Sequence, residues 1–288
     1  MSALIAAAHA KLNWLLDVVG VRLDGYHELD MLTQSLALAD QLTFASADKL
    51  MLWVDGAPCD DEANLVLRAA RLMQREARAP LGAAITLSKN IPVRAGLGGG
   101  SADCAATLLA LNRLWGLNLH PDTLAQLGLS LGADVPFCLV GGLCRVRGMG
   151  ELLSPLPPPP SPDILIVQMD GGLSTAEVFR AYGRLPGDHS ELEAAAAALC
   201  RGDYGALNGC AANALARAAA QLSPAVATAG ILLASRGAVY VRMTGSGSAV
   251  YGVFRDRAAC AAAQRALAGR CRCAIMTKTW PLGVDICR

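Results

Sequence analysis

The stretch Ile91-Pro92-Val93-Arg94-Ala95-Gly96-Leu97-Gly98-Gly99-Gly100-Ser101-Ala102-Asp103 places four glycines in five positions, directly ahead of a long run rich in alanine and leucine. Glycines let successive backbone N–H groups converge without a Cβ in the way, and a helix starting there adds unpaired first-turn donors and its positive dipole end. The stretch therefore predicts an anion site that suits a polyphosphate, on a turn between a strand at 83–87 and a helix at 101–115. It is neither of the two common phosphate loops. A Walker loop needs GxxxxGK[ST], and no lysine follows Gly100. The dinucleotide fingerprint GxGxxG takes Gly96 and Gly98 but meets Ser101 where its third glycine belongs. The plainer alternative, a glycine turn that merely caps a helix through Ser101, loses ground to the motifs that accompany it.

The 288 residues suit two medium domains, and a composition of 53% hydrophobic and 17% charged residues describes an ordered chain with ample core. With 25 basic and 24 acidic side chains the net charge is +1, which gives no global attraction for nucleic acid or an anionic membrane. A polyanion must be bound locally. The ten cysteines include no CxxC pair and no zinc spacing, and most sit among apolar residues as small buried thiols, so a reducing cytoplasm is the expected compartment. The apolar start at 1–10 has no basic leader and is interrupted by His9, with Lys11 close behind, so export is not expected. The uncharged span 218–235 is broken by Gln221, Ser223 and Pro224 and predicts two buried helices instead of a membrane crossing.

Strands are predicted at 12–19, 41–45 and 49–54, and a helix from 64 with Asn64 as its N-cap. A further helix at 121–131 starts after His120 and ends at Gly132. The segment 154–162 holds six prolines in nine residues and reads as a stiff, extended connector. Beyond it come a strand at 163–169, alanine-rich helices, and a strand pair at 238–243 and 249–254. The expected domains are 1–154, carrying the glycine loop, and 155–288.

Three further segments bear on chemistry. Asp134, in Gly132-Ala133-Asp134-Val135-Pro136-Phe137, is either a turn or N-cap aspartate or a general base whose apolar neighbours desolvate it and raise its proton affinity. Lys11 is a lone cation among apolar residues at a strand start, placed to hold a hydroxyl or phosphate if it faces a pocket. Met243-Thr244-Gly245-Ser246-Gly247-Ser248-Ala249 is a second glycine loop, either a bare hairpin turn or a lid whose amides bind phosphate.

Taken in order, AKLNWLL, PVRAGLGGGSADCAA and MTGSGSAVY resemble the N-terminal lysine motif, the phosphate loop and the C-terminal glycine loop of the galactokinase, homoserine kinase, mevalonate kinase and phosphomevalonate kinase superfamily. Within it, Ala10-Lys11-Leu12-Asn13, Arg22-Leu23-Asp24-Gly25-Tyr26-His27 and Leu131-Gly132-Ala133-Asp134 are similar to the branch acting on a cytidyl-linked sugar alcohol of the methylerythritol phosphate route to isoprenoids. The resemblance implies an α+β, two-domain kinase fold. An N-terminal ribosomal-protein-like domain and a C-terminal ferredoxin-like α/β sandwich would flank a cleft. It also implies transfer of the γ-phosphoryl of ATP, with Mg2+, to the 2-hydroxyl of that substrate. Lys11 and Asp134 match the catalytic pair, Pro92 to Ala102 the ATP loop, and Asn64 and Lys89 the adenine side. Asn13, Tyr26, His27, Thr175, Phe179, Thr244 and Gly245 match the substrate side, with Tyr26 and Phe179 as a sandwich for the cytosine. Two departures stand out. Ala102 replaces a hydroxyl residue of many members, and Thr33 stands where some place an aromatic beside the substrate. Metal ligands and oligomeric state are left unassigned. No nucleic-acid or membrane partner is expected.

Overall fold

The computed structural model describes residues 3–23, 25–169, 171–183 and 191–287; Asp24 of the Asp24-Gly25 turn lies outside them. The first half runs β1 (Leu4–Val21), β2 (His27–Ala47), β3 (Leu50–Val54), β4 (Ala57–Pro58), α1 (Leu65–Ala77), β5 (Gly82–Ser88), α2 (Gly99–Leu114), α3 (Pro121–Leu131), α4 (Val135–Val140), β6 (Leu143–Gly148) and β7 (Leu152–Leu156). The second runs β8 (Asp163–Gln168), α5 (Thr175–Tyr182), α6 (Leu192–Arg201), α7 (Tyr204–Cys210), α8 (Ala216–Leu222), α9 (Ala225–Ser235), β9 (Tyr240–Met243), β10 (Val250–Phe254), α10 (Arg257–Leu267), β11 (Cys273–Thr277) and β12 (Val284–Cys287).

β1 and β2 are far longer than the short strands expected, because alanines with little β preference are recruited by pairing and packing. Ala6 and Ala8 belong to the same core cluster as Ala102, Ala105 and Ala106 of α2, and small side chains on both surfaces let the helix lie close on the sheet. The first sheet has the order β12-β1-β2-β5-β3-β4, and β6 pairs with the other half of β2 and carries β7 at its edge. Register breaks fall between His9 and Lys11 and between Asn13 and Leu15. The break before Lys11 frees its N–H to donate to Leu97 O of the glycine loop at 2.9 Å.

The second sheet has the order β11-β8-β10-β9, antiparallel throughout. Numbered from β8 this is the 4-1-3-2 order of a ferredoxin-like unit, with α10 between β10 and β11 and a helical insertion between β8 and β9. β8 is buried on both faces. Leu165 and Val167 join a cluster with Leu233 and Cys260, while Ile164 and Ile166 join another with Leu36, Leu199 and Leu207.

The proline-rich segment begins as strand, since Ser154, Pro155 and Leu156 belong to β7 at the sheet edge, where a proline costs no ladder bond. Residues 284–287, the last strand, cross back and pair with β1. Residues 218–235 do form two helices, bent by 114°, and no single helix among the described residues is long and apolar enough to cross a membrane.

Candidate active site

α2 begins at Gly99, two residues earlier than expected, and its N-cap is Gly98 in place of Ser101. Its first ladder donor is Ala102 N, to Gly98 O at 2.9 Å, so the amides of Gly99, Gly100 and Ser101 stand ahead of the ladder and face a cavity of about 1330 Å3. Gly96 and Gly98 have φ of 75° and 70°. A Cβ on Gly98 would also meet the Lys11 side chain at 2.9 Å, so the glycine opens the passage through which that lysine reaches the cavity.

Lys11 is 4% exposed, donates to Asn13 Oδ1 at 2.9 Å, and lies 3.5 Å from Asp134 Oδ2. Asp134 occupies the N-cap position of α4 but makes no side-chain capping bond, so its carboxylate is left for the cleft. The desolvation is only partial. The buried Val135 and Phe137 turn into the core, and the Asp134 side chain keeps 40% exposure.

The cavity wall brings together Lys11, Asp134, Asn64, Lys89, Pro92 to Ser101, Tyr26, His27, Thr175, Phe179 and Gly245. Asn13, Ala102 and Thr244 are buried behind it. Thr33 is buried as well and forms no part of the substrate wall. His27 is the residue whose ring lies against Phe179, with centroids 4.9 Å apart, and it also meets Tyr182 edge-on. Tyr26 is 63% exposed on the β1–β2 hairpin, on the same rim. Asn64 caps α1 through Val66 N at 2.9 Å.

The second glycine loop is a brace, with most of its amides spent on protein. Gly245 N donates to Asn13 Oδ1, Gly247 N to Thr244 O, Ser248 N to Arg94 O and Ala249 N to Ala95 O. Thr244 Oγ1 donates to Gly96 O at 3.2 Å. This loop thus supports the back of the phosphate loop. Gly245 and Ser246 alone from it reach the cavity, and Ser246 shares a hydroxyl contact of 2.9 Å with Thr175.

One charged cluster escaped the sequence reading. Lys89 Nζ donates to Asp40 and, at 2.7 Å, to Asp103 Oδ2, while Asp40 Oδ1 accepts from Ile91 N at 2.8 Å. Burial pushes the Asp103 carboxyl up to about 7 against the pull of Lys89. Burial by itself would lower the Lys89 ammonium, but Asp103 and Asp40 outweigh it and the net shift is upward. The only hint in the sequence was an aspartate in an otherwise apolar helix start, because the partners lie 14 and 49 residues away from Lys89 along the chain.

A glycine loop at a helix start facing a lysine–carboxylate pair defines a small-molecule kinase class, and comparison with known families agrees. The models for the N-terminal and C-terminal domains of GHMP kinases match residues 64–142 and 195–273. Proteins named 4-diphosphocytidyl-2-C-methyl-D-erythritol kinase from Moorella thermoacetica and Pelotomaculum thermopropionicum are each 43% identical, over 89% and 87% of this chain and 92% and 89% of their own. A crystal structure of 4-(cytidine 5'-diphospho)-2C-methyl-D-erythritol kinase superposes with a TM-score of 0.81 at 35% identity, covering 96% of this chain and 98% of that one. A homoserine kinase structure from Cytophaga hutchinsonii, with a TM-score of 0.75 at 17% identity, shares the fold. The chain belongs to the GHMP kinases, and within them to the 4-diphosphocytidyl-2-C-methyl-D-erythritol kinase family. It is an ATP-dependent small-molecule kinase.

Proposed function

We propose that this kinase transfers the γ-phosphoryl group of ATP to the 2-hydroxyl of 4-diphosphocytidyl-2-C-methyl-D-erythritol, with Asp134 and Lys11 as the catalytic residues. The observation that carries the reading is the 3.5 Å Lys11–Asp134 pair standing beside the free amides of the α2 start. Those amides and the helix dipole hold the β- and γ-phosphates so that the terminal phosphorus faces the acceptor. Asp134 accepts the hydroxyl proton as the new O–P bond forms and the bond from the γ-phosphorus to the bridging oxygen breaks, releasing ADP. Lys11 offsets the negative charge that gathers on the nucleophile and the moving phosphoryl group.

Asn64 and Lys89 lie on the adenine side of this arrangement, though Lys89 spends its ammonium on Asp40 and Asp103 and so contributes chiefly by fixing the wall. His27 and Phe179, with Tyr26 on the rim, form the aromatic end that receives the cytosine, while Thr175 and Gly245 border the sugar-alcohol path. Asn13 and Thr244 serve the substrate from behind the wall. A magnesium ion accompanying ATP would be held chiefly by phosphate oxygens and water, with the Ser101 hydroxyl on the cavity wall as a side-chain oxygen able to reach it, and would offset charge on the phosphates. No group of three His, Cys, Asp or Glu side chains able to cage a metal occurs among the described residues. The expected division at 154/155 falls inside β7, which pairs with β6 through Leu156, and β12 returns to the sheet that carries the phosphate loop, so the ferredoxin-like part spans β8 to β11 with its helices. The free cysteines suit a cytoplasmic setting.

The test is an ATP-consumption assay run in parallel on 4-diphosphocytidyl-2-C-methyl-D-erythritol, homoserine and mevalonate. ADP release with the first acceptor alone is the expected result, and turnover of either small aliphatic acceptor at a comparable rate would overturn the reading.

A further inference from the structure

We infer that Thr33, a residue that does not touch the cavity, is a positioning residue for phosphoryl transfer, because its hydroxyl fixes the orientation of the Asn13 carboxamide that holds Lys11. The inference rests on Lys11 acting as proposed above. A carboxamide has one accepting and one donating end, and the surroundings of Asn13 are sorted accordingly. Asn13 Oδ1 accepts from Lys11 Nζ at 2.9 Å and from Gly245 N at 3.0 Å. Asn13 Nδ2 donates to Thr33 Oγ1 at 3.0 Å and makes a weaker contact with Met31 Sδ at 3.5 Å. A flipped amide would aim its NH2 at an ammonium and a backbone N–H, and its oxygen would face Thr33.

Asn13 and Thr33 are each 2% exposed, so solvent has little room to replace a lost partner. The backbone of Asn13 is fixed independently. Its N–H donates to Thr244 Oγ1 at 3.2 Å, and its carbonyl accepts from Tyr251 Oη at 3.0 Å. What remains to be set is the rotation of the carboxamide, and Thr33 Oγ1 is the strong acceptor on its donating side. Through that one amide, Thr33 governs two things at once: the aim of Lys11 at Asp134 and the tether of the second glycine loop, which braces Gly96.

The experiment compares Thr33→Val, which keeps the shape and removes the acceptor, with Thr33→Ser, which restores it. The first readout is steady-state kinetics on 4-diphosphocytidyl-2-C-methyl-D-erythritol. The second is the side-chain ammonium signal of Lys11 in protein labelled with 15N at lysine, which is resolvable because the chain has only four lysines and is assigned with Lys11→Arg. Thr33→Val is expected to lower kcat about tenfold, the scale of one buried hydrogen bond, with KM for ATP unchanged, and to broaden or shift the Lys11 signal. Thr33→Ser is expected to restore both. Should the valine variant fail to fold, Thr33→Ala carries the same comparison. An unchanged Lys11 signal in the valine or alanine variant, or a serine variant as impaired as that one, would overturn the inference. If the wild-type enzyme ignores the cytidyl acceptor, the proposed substrate is lost, and the Lys11 signal still decides the role of Thr33.

Discussion

Asp134 and Asp103 are two carboxylates about thirty residues apart whose surroundings push them toward different work. Asp134 is half open to the cleft, unused as a cap and 3.5 Å from Lys11, the arrangement of a base that meets an incoming hydroxyl. Asp134→Ala is expected to lower kcat by about 10²–10⁴-fold while calorimetry still detects ATP binding, since the proposed base serves the acceptor and not the nucleotide. Loss of ATP binding with intact turnover would contradict that role. Asp103 is buried, paired with Lys89, and has one oxygen, Oδ1, with no partner among the described residues. Its folded-state pKa of about 7 lies above the ordinary aspartate value of 3.8, so the fold binds this proton more tightly than the unfolded chain does. The stability it contributes is complete below pH 3.8 and is lost as pH rises toward 7. Asp103→Asn removes that dependence, and the difference in Tm between variant and wild type is expected to move in the variant's favour between pH 5 and 8. A difference that stays constant with pH would show that Asp103 does not titrate in this range. Tyr26→Ala, on the rim of the aromatic end, is expected to raise KM for the cytidyl acceptor more than it lowers kcat, and an unchanged KM would remove Tyr26 from that subsite.

At the scale of elements, the phosphate loop and the second glycine loop form one unit, and the glycines within it are not equivalent. A Cβ on Gly96 would stand 2.2 Å from Thr244 O, backbone against backbone, at a φ of 75° that L side chains rarely adopt. A Cβ on Gly100 would meet only Leu65 Cδ1, at 3.5 Å. Gly96→Ala is therefore expected to force the two loops apart, lowering Tm and weakening ATP binding together. Gly100→Ala is expected to leave Tm close to wild type, because a Cβ there makes only an ordinary van der Waals contact and the backbone is not in the left-handed region. Equal Tm values for the two variants would show that the loops do not brace each other. Much of this level was legible beforehand. Asn64 marked a helix start because capping is a local bond between a side chain and an amide two residues on, and the start after His120 was legible because proline fits the first turn of a helix. The true start of α2 was not, since it depends on how the glycine backbone turns over Lys11 and not on residue preference.

For the molecule as a whole, the C-terminal residues complete the first sheet. β12 pairs with β1 on the far side from β2, His9 N donates to Gly283 O at 2.9 Å, and Asp285 accepts from both His9 and the Trp280 indole. Gly283 crosses so close to α4 that a Cβ there would lie 1.8 Å from Cys138 O. Because β1 carries Lys11 and α4 follows Asp134, this crossing supports both members of the pair from outside the cleft. Gly283→Val is expected to destabilise the fold by about 2 kcal/mol or more, in line with steric overpacking, and to lower turnover with it. A variant with wild-type Tm and kcat would show that the crossing can shift without cost.

The amino-acid sequence alone determined the local chemistry: a glycine-rich helix start suited to an anion, the helix caps, the proline break, and the order of motifs that marks the family. Each of these is set by neighbours a few residues apart. Tertiary structure decided the rest. It lengthened the alanine-rich β1 and β2 through pairing, turned the second glycine loop into a brace, joined Asp40, Lys89 and Asp103, and set Thr33 behind Asn13. The physical reason is the same throughout. Hydrogen bonds and burial between residues far apart in the chain depend on distances that only the folded chain fixes, and no local preference encodes them.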